Sequence, residues 1–277
     1  MSNPSKYVWL VVLGTGLALF AGVFAFWSGK GTLIIPSEKK QAVPLQKLPE
    51  TAPSASRRID VAQIADKFKG KDVIQVPLNE KLFALTFDGG GNENGVKEIL
   101  DILAKERVHS SFFLTGNFMK KFPQAVSAIS SGGHEIANHT LSHKNLKEMS
   151  AQDAAQEIAG FEEAARAQSV SWAPFFRFPY GTYKKEDIAL VNGAGYVAVR
   201  WTVDSWGWQG KADGRAAEFV AGRVIEKAVP GGIALMHLGS AKDGSTLDAD
   251  ALADIIRALG AQGYRFVTLS ELFTRGL

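Results

Sequence analysis

The sequence predicts a barrel-like α/β domain over residues 71–277, and three observations support this prediction. Short runs rich in β-branched and aromatic residues alternate with segments of helical periodicity, as in folds of parallel strands joined by helices. About seven such units occur in roughly two hundred residues, which suits a closed barrel better than an open, doubly wound sheet, although sequence separates the two only weakly. The chain has 277 residues, 46% of them hydrophobic, which is enough for one such domain and an appendage.

The predicted strands are short and bounded by turn residues; they are residues 82–87, 110–114, 135–138, 175–178, 197–201, 233–236 and 266–269. The helices predicted between them include residues 95–107, 151–168, 216–228 and 248–260, and Ser150 is placed to act as an N-cap. In such folds the carboxyl ends of the strands meet at one face, where active sites are built. Polar residues just past the predicted strands are therefore expected to converge.

An uncharged segment near the amino terminus predicts a membrane-spanning helix. Residues 7–27 contain no Asp, Glu, Lys or Arg, and about 20 apolar residues are needed to cross a bilayer. The run is longer than the apolar region of a signal peptide, so residues 1–29 are interpreted as an uncleaved, single-pass anchor in the cytoplasmic membrane rather than as a buried core helix. We expect the domain to face the extracytoplasmic side, although Lys6 on one flank and Lys30, Lys39 and Lys40 on the other leave the positive-inside rule undecided.

The segment that follows, residues 30–70, is predicted to be a Pro/Lys-rich disordered linker in which residues 60–68 are compatible with a short helix. Residues 28–58 hold six Lys/Arg and two Glu, or +4, and Lys6 adds one, so the formal net charge of +3 leaves residues 59–277 at about −2. The domain thus lacks the surplus of positive charge that binding to nucleic acid would need, and we expect no nucleic-acid partner. Separately, we expect the chain to be a monomer. Because the chain has no Cys, disulfides and thiolate ligands are excluded, and any metal must be held by His, Asp, Glu or Asn.

Four polar clusters fall at predicted strand ends, and three of the chain's five histidines lie in them. The clusters are Thr-Phe-Asp-Gly-Gly at 86–90, His-Thr-Leu-Ser-His at 139–143, Arg-Phe-Pro-Tyr-Gly at 177–181 and Leu-Met-His at 235–237. Each alone is more typical of a turn, a surface pair or an ordinary loop than of catalysis. Their occurrence together at one expected face favours a site.

The residue types in these clusters suit the hydrolysis of an amide. Two neutral imidazoles, His139 and His143, would point the same way on a helix and suit a divalent metal that polarises a carbonyl and acidifies water. Asp88 could act as the base, held ionised by the charge of Arg177. His237 could protonate the departing amine.

In their order and spacing these motifs resemble the NodB-homology polysaccharide deacetylases, carbohydrate esterase family 4, over about residues 81–269. The resemblance implies a distorted (β/α)7-like barrel that removes acetyl groups from N-acetylated cell-wall polysaccharide, either peptidoglycan or poly- or oligo-N-acetylglucosamine. It also implies a divalent metal, with zinc expected first and cobalt or another divalent ion as alternatives.

The resemblance further implies individual roles. Asp88 would be the base, Arg177 its partner, His237 the acid, and His139 and His143 metal ligands. A backbone N–H near Tyr180 would bind the oxyanion, and the walls around the acetyl methyl group would come from Trp201, Trp208 and Leu235. For the two tryptophans, ordinary core packing is an equally good interpretation.

Two positions depart from the family's pattern. The first motif normally carries a second Asp as third metal ligand, where this chain has Gly89, so Asn92, Glu93 or water would have to complete the site. The stretch 201–208 resembles an Asp-x-x-Asp-Trp motif whose second Asp, the partner of the acid histidine, is replaced by Gly207. Unless Asp204 compensates, this loss is expected to lower the pKa of His237.

Three functional hypotheses therefore follow from the sequence. The first is an active metal-dependent N-deacetylase. The second, prompted by the two glycines, is a degenerate member that binds glycan without cleaving it. The third is an esterase that removes O-acetyl groups from a polysaccharide with the same machinery, which sequence does not separate from the first.

Overall fold

The computed structural model describes residues 61–277, so the predicted anchor and most of the predicted linker lie outside the described residues. Within residues 61–277 no helix combines the length and apolar character needed to cross a membrane. The short helix expected near residues 60–68 is present as α1 (Val61–Phe68).

The described part of the chain contains nine strands, and every strand pair is parallel, as predicted. The strands are β1 (Asp72–Val73), β2 (Leu82–Gly89), β3 (Ser111–Leu114), β4 (Glu135–Asn138), β5 (Phe175–Phe176), β6 (Val197–Val199), β7 (Val203–Asp204), β8 (Gly232–His237) and β9 (Arg265–Phe266). Their order in the sheet is β1-β6-β5-β4-β3-β2-β8-β7. Strand β9 pairs with the first residues of β2, and β3 pairs with its last four.

The sheet curls around an apolar interior, which makes the fold barrel-like. Inward side chains from seven strands meet in one buried cluster, which α1 and the C-terminal helix also enter; among its members are Val73, Leu82, Ala84, Phe113, Ala137, Phe175, Val197 and Ile233. The strand order of the described residues ends at β1 on one side and β7 on the other, so the ring is open there. The expected closed barrel is therefore wrong. The sequence also did not predict β1 and β7, because each has only two residues, too few for a periodic pattern.

Eight further helices pack around the sheet. They are α2 (Val96–Glu106), α3 (Gly116–Lys121), α4 (Pro123–Ser131), α5 (Ala151–Ala167), α6 (Lys185–Gly193), α7 (Ala217–Glu226), α8 (Leu247–Ala261) and α9 (Leu269–Arg275). Helices α2, α3, α4, α5, α7 and α8 share a second buried cluster with the outward side chains of the strands, including Phe83 and Phe87 of β2 and Phe112 of β3. This second, outer layer of core fixes the helices to the sheet.

The four predicted helices are confirmed to within two residues at each end. The predicted N-cap is also confirmed, because the Ser150 hydroxyl accepts a hydrogen bond from the Asp153 N–H at 3.1 Å. The predicted strand at 266–269 is wrong beyond Phe266, since Thr268 caps α9. Its hydroxyl accepts from the Glu271 N–H while the Glu271 carboxylate accepts from the Thr268 N–H, and this capping box favours helix over strand.

The alternation of side chains along β2 and β8 directs Asp88 and His237 to the inner face of the sheet, at the carboxyl ends of the strands. Leu82 and Ala84 point into the inner cluster, and Asp88 lies in phase with them because side chains on a strand repeat every two residues. His237 is in phase with Ile233 in the same way. The register pairs Asp88 with His237, so both residues lie side by side at the carboxyl end of the sheet.

Candidate active site

A cavity of about 720 Å³ opens at the carboxyl ends of the strands, a size that suits a small ligand or sugar unit. Eight of the nine predicted site residues line it: Asp88, His139, His143, Tyr180, Trp201, Trp208, Leu235 and His237. The ninth, Arg177, lies fully buried behind Asp88. The structure therefore brings the four sequence clusters together at the expected face.

Arg177 is fixed beneath the cavity floor by contacts to several strands. It donates from Nη1 to Asp88 Oδ1 at 2.7 Å, from Nε to the Val199 carbonyl at 3.3 Å and from Nη2 to the Arg200 carbonyl at 3.1 Å. Its guanidinium carbon lies 4.0 Å from the centre of the Phe113 ring. Burial opposes ionisation of Asp88, but the charge of Arg177, the hydrogen bond it donates and the nearby His139 and His237 together outweigh burial and hold the pKa of Asp88 below its usual range.

His139 is held as a neutral imidazole with one nitrogen directed to the cavity. Its Nδ1–H donates to the carbonyl oxygen of Arg177 at 2.8 Å, and its Nε2 lies 3.4 Å from Asp88 Oδ2. Burial lowers the pKa of His139 to about 4, although the nearby Asp88 carboxylate opposes this shift. A neutral ring with its second nitrogen fixed by a carbonyl is the usual state of a metal-binding histidine.

The segment between the two histidines is a turn, not the helix on which the sequence would have aligned them. Thr140 and His143 have φ values of 70° and 63°, which fold the chain back instead of continuing it. The Asn138 side chain accepts from the Thr140 N–H at 2.8 Å, and the Thr140 hydroxyl accepts from the His143 N–H at 3.0 Å. The two imidazole ring centres lie 4.8 Å apart, so the turn achieves what the helix was expected to do.

A buried carboxylate on α5 ties this turn down, and the sequence did not reveal it. Glu157 accepts from the Ser142 N–H at 2.8 Å and from the Ser142 hydroxyl at 2.6 Å. Its backbone carbonyl accepts from the Leu141 N–H at 2.8 Å. The only sequence signal is an acidic residue on the buried face of a helical pattern, which gives no hint of its partner.

His237 has an additional carboxylate neighbour that the sequence did not reveal either. Asp248, in the first turn of α8, accepts the backbone N–H of His237 at 2.9 Å, and its Oδ2 lies 3.8 Å from His237 Nδ1. Burial favours the neutral imidazole, but Asp248, Asp88 and Asp204 outweigh burial and raise the pKa of His237. The expected lowering of this pKa is therefore wrong, because a carboxylate from another element, Asp248 on α8, lies beside the imidazole.

Neither predicted substitute for the third metal ligand reaches the cavity. The Asn92 side chain accepts from the Ser240 N–H at 2.8 Å, and both Asn92 and Glu93 are absent from the cavity wall. A Cβ at Gly89 would lie 2.8 Å from side-chain carbons of Leu114 and Leu238, so apolar groups fill that space. Within residues 61–277 no three His, Cys, Asp or Glu side chains form a ready-made metal site.

The donor set therefore fits a divalent cation held by two imidazoles, with the remaining coordination positions left to water or substrate. The neutral state of His139 and its free Nε2 are the observations that support this fit. Burial also lowers the pKa of His143, against the opposing charge of Asp88. The neutral imidazole is thus favoured for both rings.

Aromatic side chains form the rim of the cavity. Tyr180 is 67% exposed and Trp208 is 49% exposed, with its ring centre 6.5 Å from that of His237. Trp201 lies deeper: it lines the cavity and also packs against the inner core. A Cβ at Gly181 would lie 2.8 Å from the Trp201 ring, so glycine lets the loop pass directly over it.

Backbone strain is concentrated around the cavity. Six non-glycine residues in the described part have positive φ, and four of them belong to the cavity wall or its loops: Thr140, His143, Tyr180 and Trp206. Such conformations cost about 1 to 3 kcal/mol each and persist where the surrounding structure holds them in place. Their concentration here is typical of a functional site.

Comparisons with a family model and with individual proteins point to the same family. The family model for polysaccharide deacetylases matches residues 75–199. The peptidoglycan-N-acetylglucosamine deacetylase of Bacillus cereus is 35% identical over 200 residues, covering 71% of this chain and 70% of that protein.

Two solved structures share the fold. The Bc1960 peptidoglycan N-acetylglucosamine deacetylase superposes with a TM-score of 0.67 at 33% identity, over 73% of this chain and 92% of that one. A mutant of BA3943, described as a family 4 pseudoenzyme with restored enzymatic activity, superposes with a TM-score of 0.68 at 25% identity, over 75% of this chain and 73% of that one. By its sequence and its fold, this chain belongs to the NodB-homology polysaccharide deacetylases, carbohydrate esterase family 4.

Proposed function

We propose that this chain removes acetyl groups from N-acetylated cell-wall glycan, either peptidoglycan or poly- or oligo-N-acetylglucosamine. One observation carries the proposal: Asp88 is bound to Arg177 at 2.7 Å and lies 3.4 Å from His139, in a cavity that His237 also lines. An ionised carboxylate, neutral imidazoles and a protonatable histidine thus share one pocket. The names of the related deacetylases agree with such a substrate.

The chain's own residues would divide the hydrolysis among them. Asp88 accepts a proton from the attacking water, and Arg177 keeps that carboxylate ionised. Tyr180 offers a backbone N–H to the oxyanion that forms on the acetyl carbonyl. His237 donates a proton to the nitrogen as the C–N bond breaks, so that acetate and a free amine leave the site.

A divalent cation, which we propose to be zinc with cobalt as an alternative, would be held by His139 and His143 and would supply Lewis-acid polarisation and a more acidic water. Trp201 and Leu235 would enclose the acetyl methyl group, because both line the cavity and are largely apolar. Trp208 and Tyr180, at the rim, would contact the sugar ring.

We also propose that the chain acts as a monomer outside the cytoplasmic membrane. The uncharged run over residues 7–27 supports a single-pass anchor, and the predicted linker, residues 30–70, would connect it to the domain. A cell-wall substrate requires a domain on the extracytoplasmic side.

The test of the activity is acetate release from N-acetylglucosamine oligomers and from peptidoglycan, with zinc or cobalt supplied. Asp88→Asn is expected to lower kcat by about 10²- to 10⁴-fold, because it removes the base while keeping the shape of the side chain. His139→Ala should abolish activity through loss of metal. Asp101→Asn, on the exposed face of α2, is the matched control and should retain full activity. Release of no acetate from any acetylated glycan with any metal contradicts the proposal.

A second candidate function is glycan binding without cleavage, and a specific observation favours it. Leu114 and Leu238 occupy the space that a side chain at residue 89 would need, and a described pseudoenzyme shares the fold. A binding module needs no metal, so titration calorimetry with chitooligosaccharides should then give the same affinity with and without zinc, and in His143→Ala. Dependence of binding or turnover on zinc favours the deacetylase instead.

A further inference from the structure

The side chain of Asp248 occupies the volume that a side chain at residue 207 would need. Gly207 begins a short 3₁₀ turn, Gly207–Gln209, that follows β7. A Cβ built on Gly207 would lie 2.5 Å from both Cγ and Oδ1 of Asp248 and 2.7 Å from its Oδ2. Two side chains cannot share this space, so the glycine and the aspartate are sterically complementary.

The carboxylate that enters this space is directed at His237. Asp248 is 3% exposed, and its Oδ2 accepts the backbone N–H of His237 at 2.9 Å while lying 3.8 Å from His237 Nδ1. Only five buried side-chain polar atoms in the described residues lack a hydrogen-bond partner, and two of them are His237 Nδ1 and Asp248 Oδ1. Buried orphan atoms are rare, so an unpaired Nδ1 lying 3.8 Å from a carboxylate that itself has an unpaired oxygen points to a hydrogen bond that tightens when the site is engaged.

We infer that Asp248 is the positioning residue for His237, and that it supplies from α8 the carboxylate that residue 207 lacks. This inference rests on the proposed function for the role of His237 as acid. With Nδ1 facing Asp248, the other ring nitrogen, Nε2, is left to the cavity that His237 lines. Asp248 thus orients the ring and stabilises its protonated form.

Asp248 is not the only charged group near the imidazole. Asp88 from β2, Asp204 from β7 and His143 from the turn after β4 also act on it electrostatically. Asp204 is engaged elsewhere, because its Oδ1 accepts from the Trp206 N–H at 3.0 Å and its Oδ2 lies 3.4 Å from Trp208 Nε1. Among these residues only Asp248 approaches Nδ1 directly, so it is the one to test.

The first test replaces the carboxylate by its isosteric amide. Asp248→Asn should lower kcat roughly tenfold or more with little change in KM, because the acid is weakened and substrate contacts remain. The high-pH limb of the kcat/KM profile should move to lower pH by about one unit or more, since an opposite charge favours the imidazolium. Asp250→Asn, an exposed residue in the same turn of α8, is the matched control and should leave both unchanged.

The second test moves the carboxylate from residue 248 to residue 207. Gly207→Asp alone should reduce activity, because its side chain meets the Asp248 carboxylate. The double variant Gly207→Asp with Asp248→Gly should recover much of the loss, since it again places one carboxylate in one volume. A double variant that is no more active than its worse parent overturns the inference.

A titration of His237 by NMR in metal-free protein separates this inference from the proposed function. The pKa of His237 should fall in Asp248→Asn and remain near the native value in Asp250→Asn, whether or not acetate is released. An unchanged His237 titration in Asp248→Asn overturns the inference. Absence of acetate release from the native chain, with the NMR shift present, overturns the proposed function alone.

Discussion

At the scale of single residues, Gly89 limits how the proposed metal could be held. Its missing side chain is replaced in space by Leu114 and Leu238, with Phe118 3.6 Å away, so the neighbourhood is apolar. Restoring an aspartate there would bury a carboxylate among these groups, and an unpaired buried charge is costly. An aspartate at residue 89 would therefore not by itself restore a third metal ligand.

We expect Gly89→Asp to destabilise the fold by about 2 kcal/mol or more and to leave zinc affinity no tighter than in the native chain. Urea unfolding and zinc titration measure the two effects. Gly91→Asp is the matched control, because nothing lies within 4 Å of its Cβ position and it should be close to neutral for stability. A stable Gly89→Asp protein that binds zinc more tightly would show that Leu114 and Leu238 yield readily.

Site residues were predictable from sequence where chemistry and strand position coincide. Asp88, His139, Arg177 and His237 each follow or end a strand, so their convergence required only that the strands be parallel. Asp248 was not predictable, because its contact with His237 depends on how the first turn of α8 packs against the turn at Gly207. A strand pattern carries no information about such an approach.

At the scale of elements, α5 acts as the support of the histidine turn. Gly160 allows this close packing, since a Cβ there would lie 2.8 Å from a Leu141 methyl group. Glu157, one turn earlier, binds Ser142 through both carboxylate oxygens. The turn thus owes its shape to a helix that contributes no atom to the cavity wall.

We expect Glu157→Gln to weaken zinc binding roughly 10- to 100-fold and to cost about 1 to 3 kcal/mol of stability, because it disrupts a buried, charge-assisted pair of hydrogen bonds. Zinc titration and urea unfolding check both values. Glu163→Gln, exposed on the same helix, should change neither. Equal behaviour of the two variants would mean that the turn holds its shape without α5.

Elements were predictable when they were long or marked by a cap. Helix α5 was predicted with its N-cap, whereas β1 and β7 are fixed by pairing with β6 and β8 and have no signal of their own. The end of the predicted strand at 266–269 belongs to α9 because the Thr268–Glu271 capping box competes there with β-propensity. Local hydrogen bonds decided that boundary.

At the scale of the whole molecule, a partly buried neutral histidine, His134, is expected to make the fold sensitive to acid. His134 lies between the His109 and Phe112 rings, and its Nδ1 accepts the Ser110 N–H at 3.3 Å. Burial, with a smaller contribution from His109, lowers its pKa to about 4. The unfolded chain therefore binds more protons between its ordinary histidine pKa and pH 4, and stability is lost as pH falls through that window.

We accordingly expect the urea midpoint to fall between pH 7 and pH 4.5, and to fall less in His134→Gln, where this proton uptake is absent. His109→Gln, an exposed neighbour, should retain most of the native pH dependence. Parallel pH dependence in the native and His134→Gln proteins would assign the acid sensitivity to other groups.

The crowding between residue 207 and Asp248 also constrains the history of this chain. An ancestor with an aspartate at 207 could not acquire Asp248 in the present position without placing two carboxylates in one volume. Loss of the aspartate at 207 before Asp248 was gained would instead leave His237 with neither carboxylate beside it. Each single-step route passes through a weakened intermediate, so chains of this lineage should carry the glycine and the helix aspartate as a linked pair.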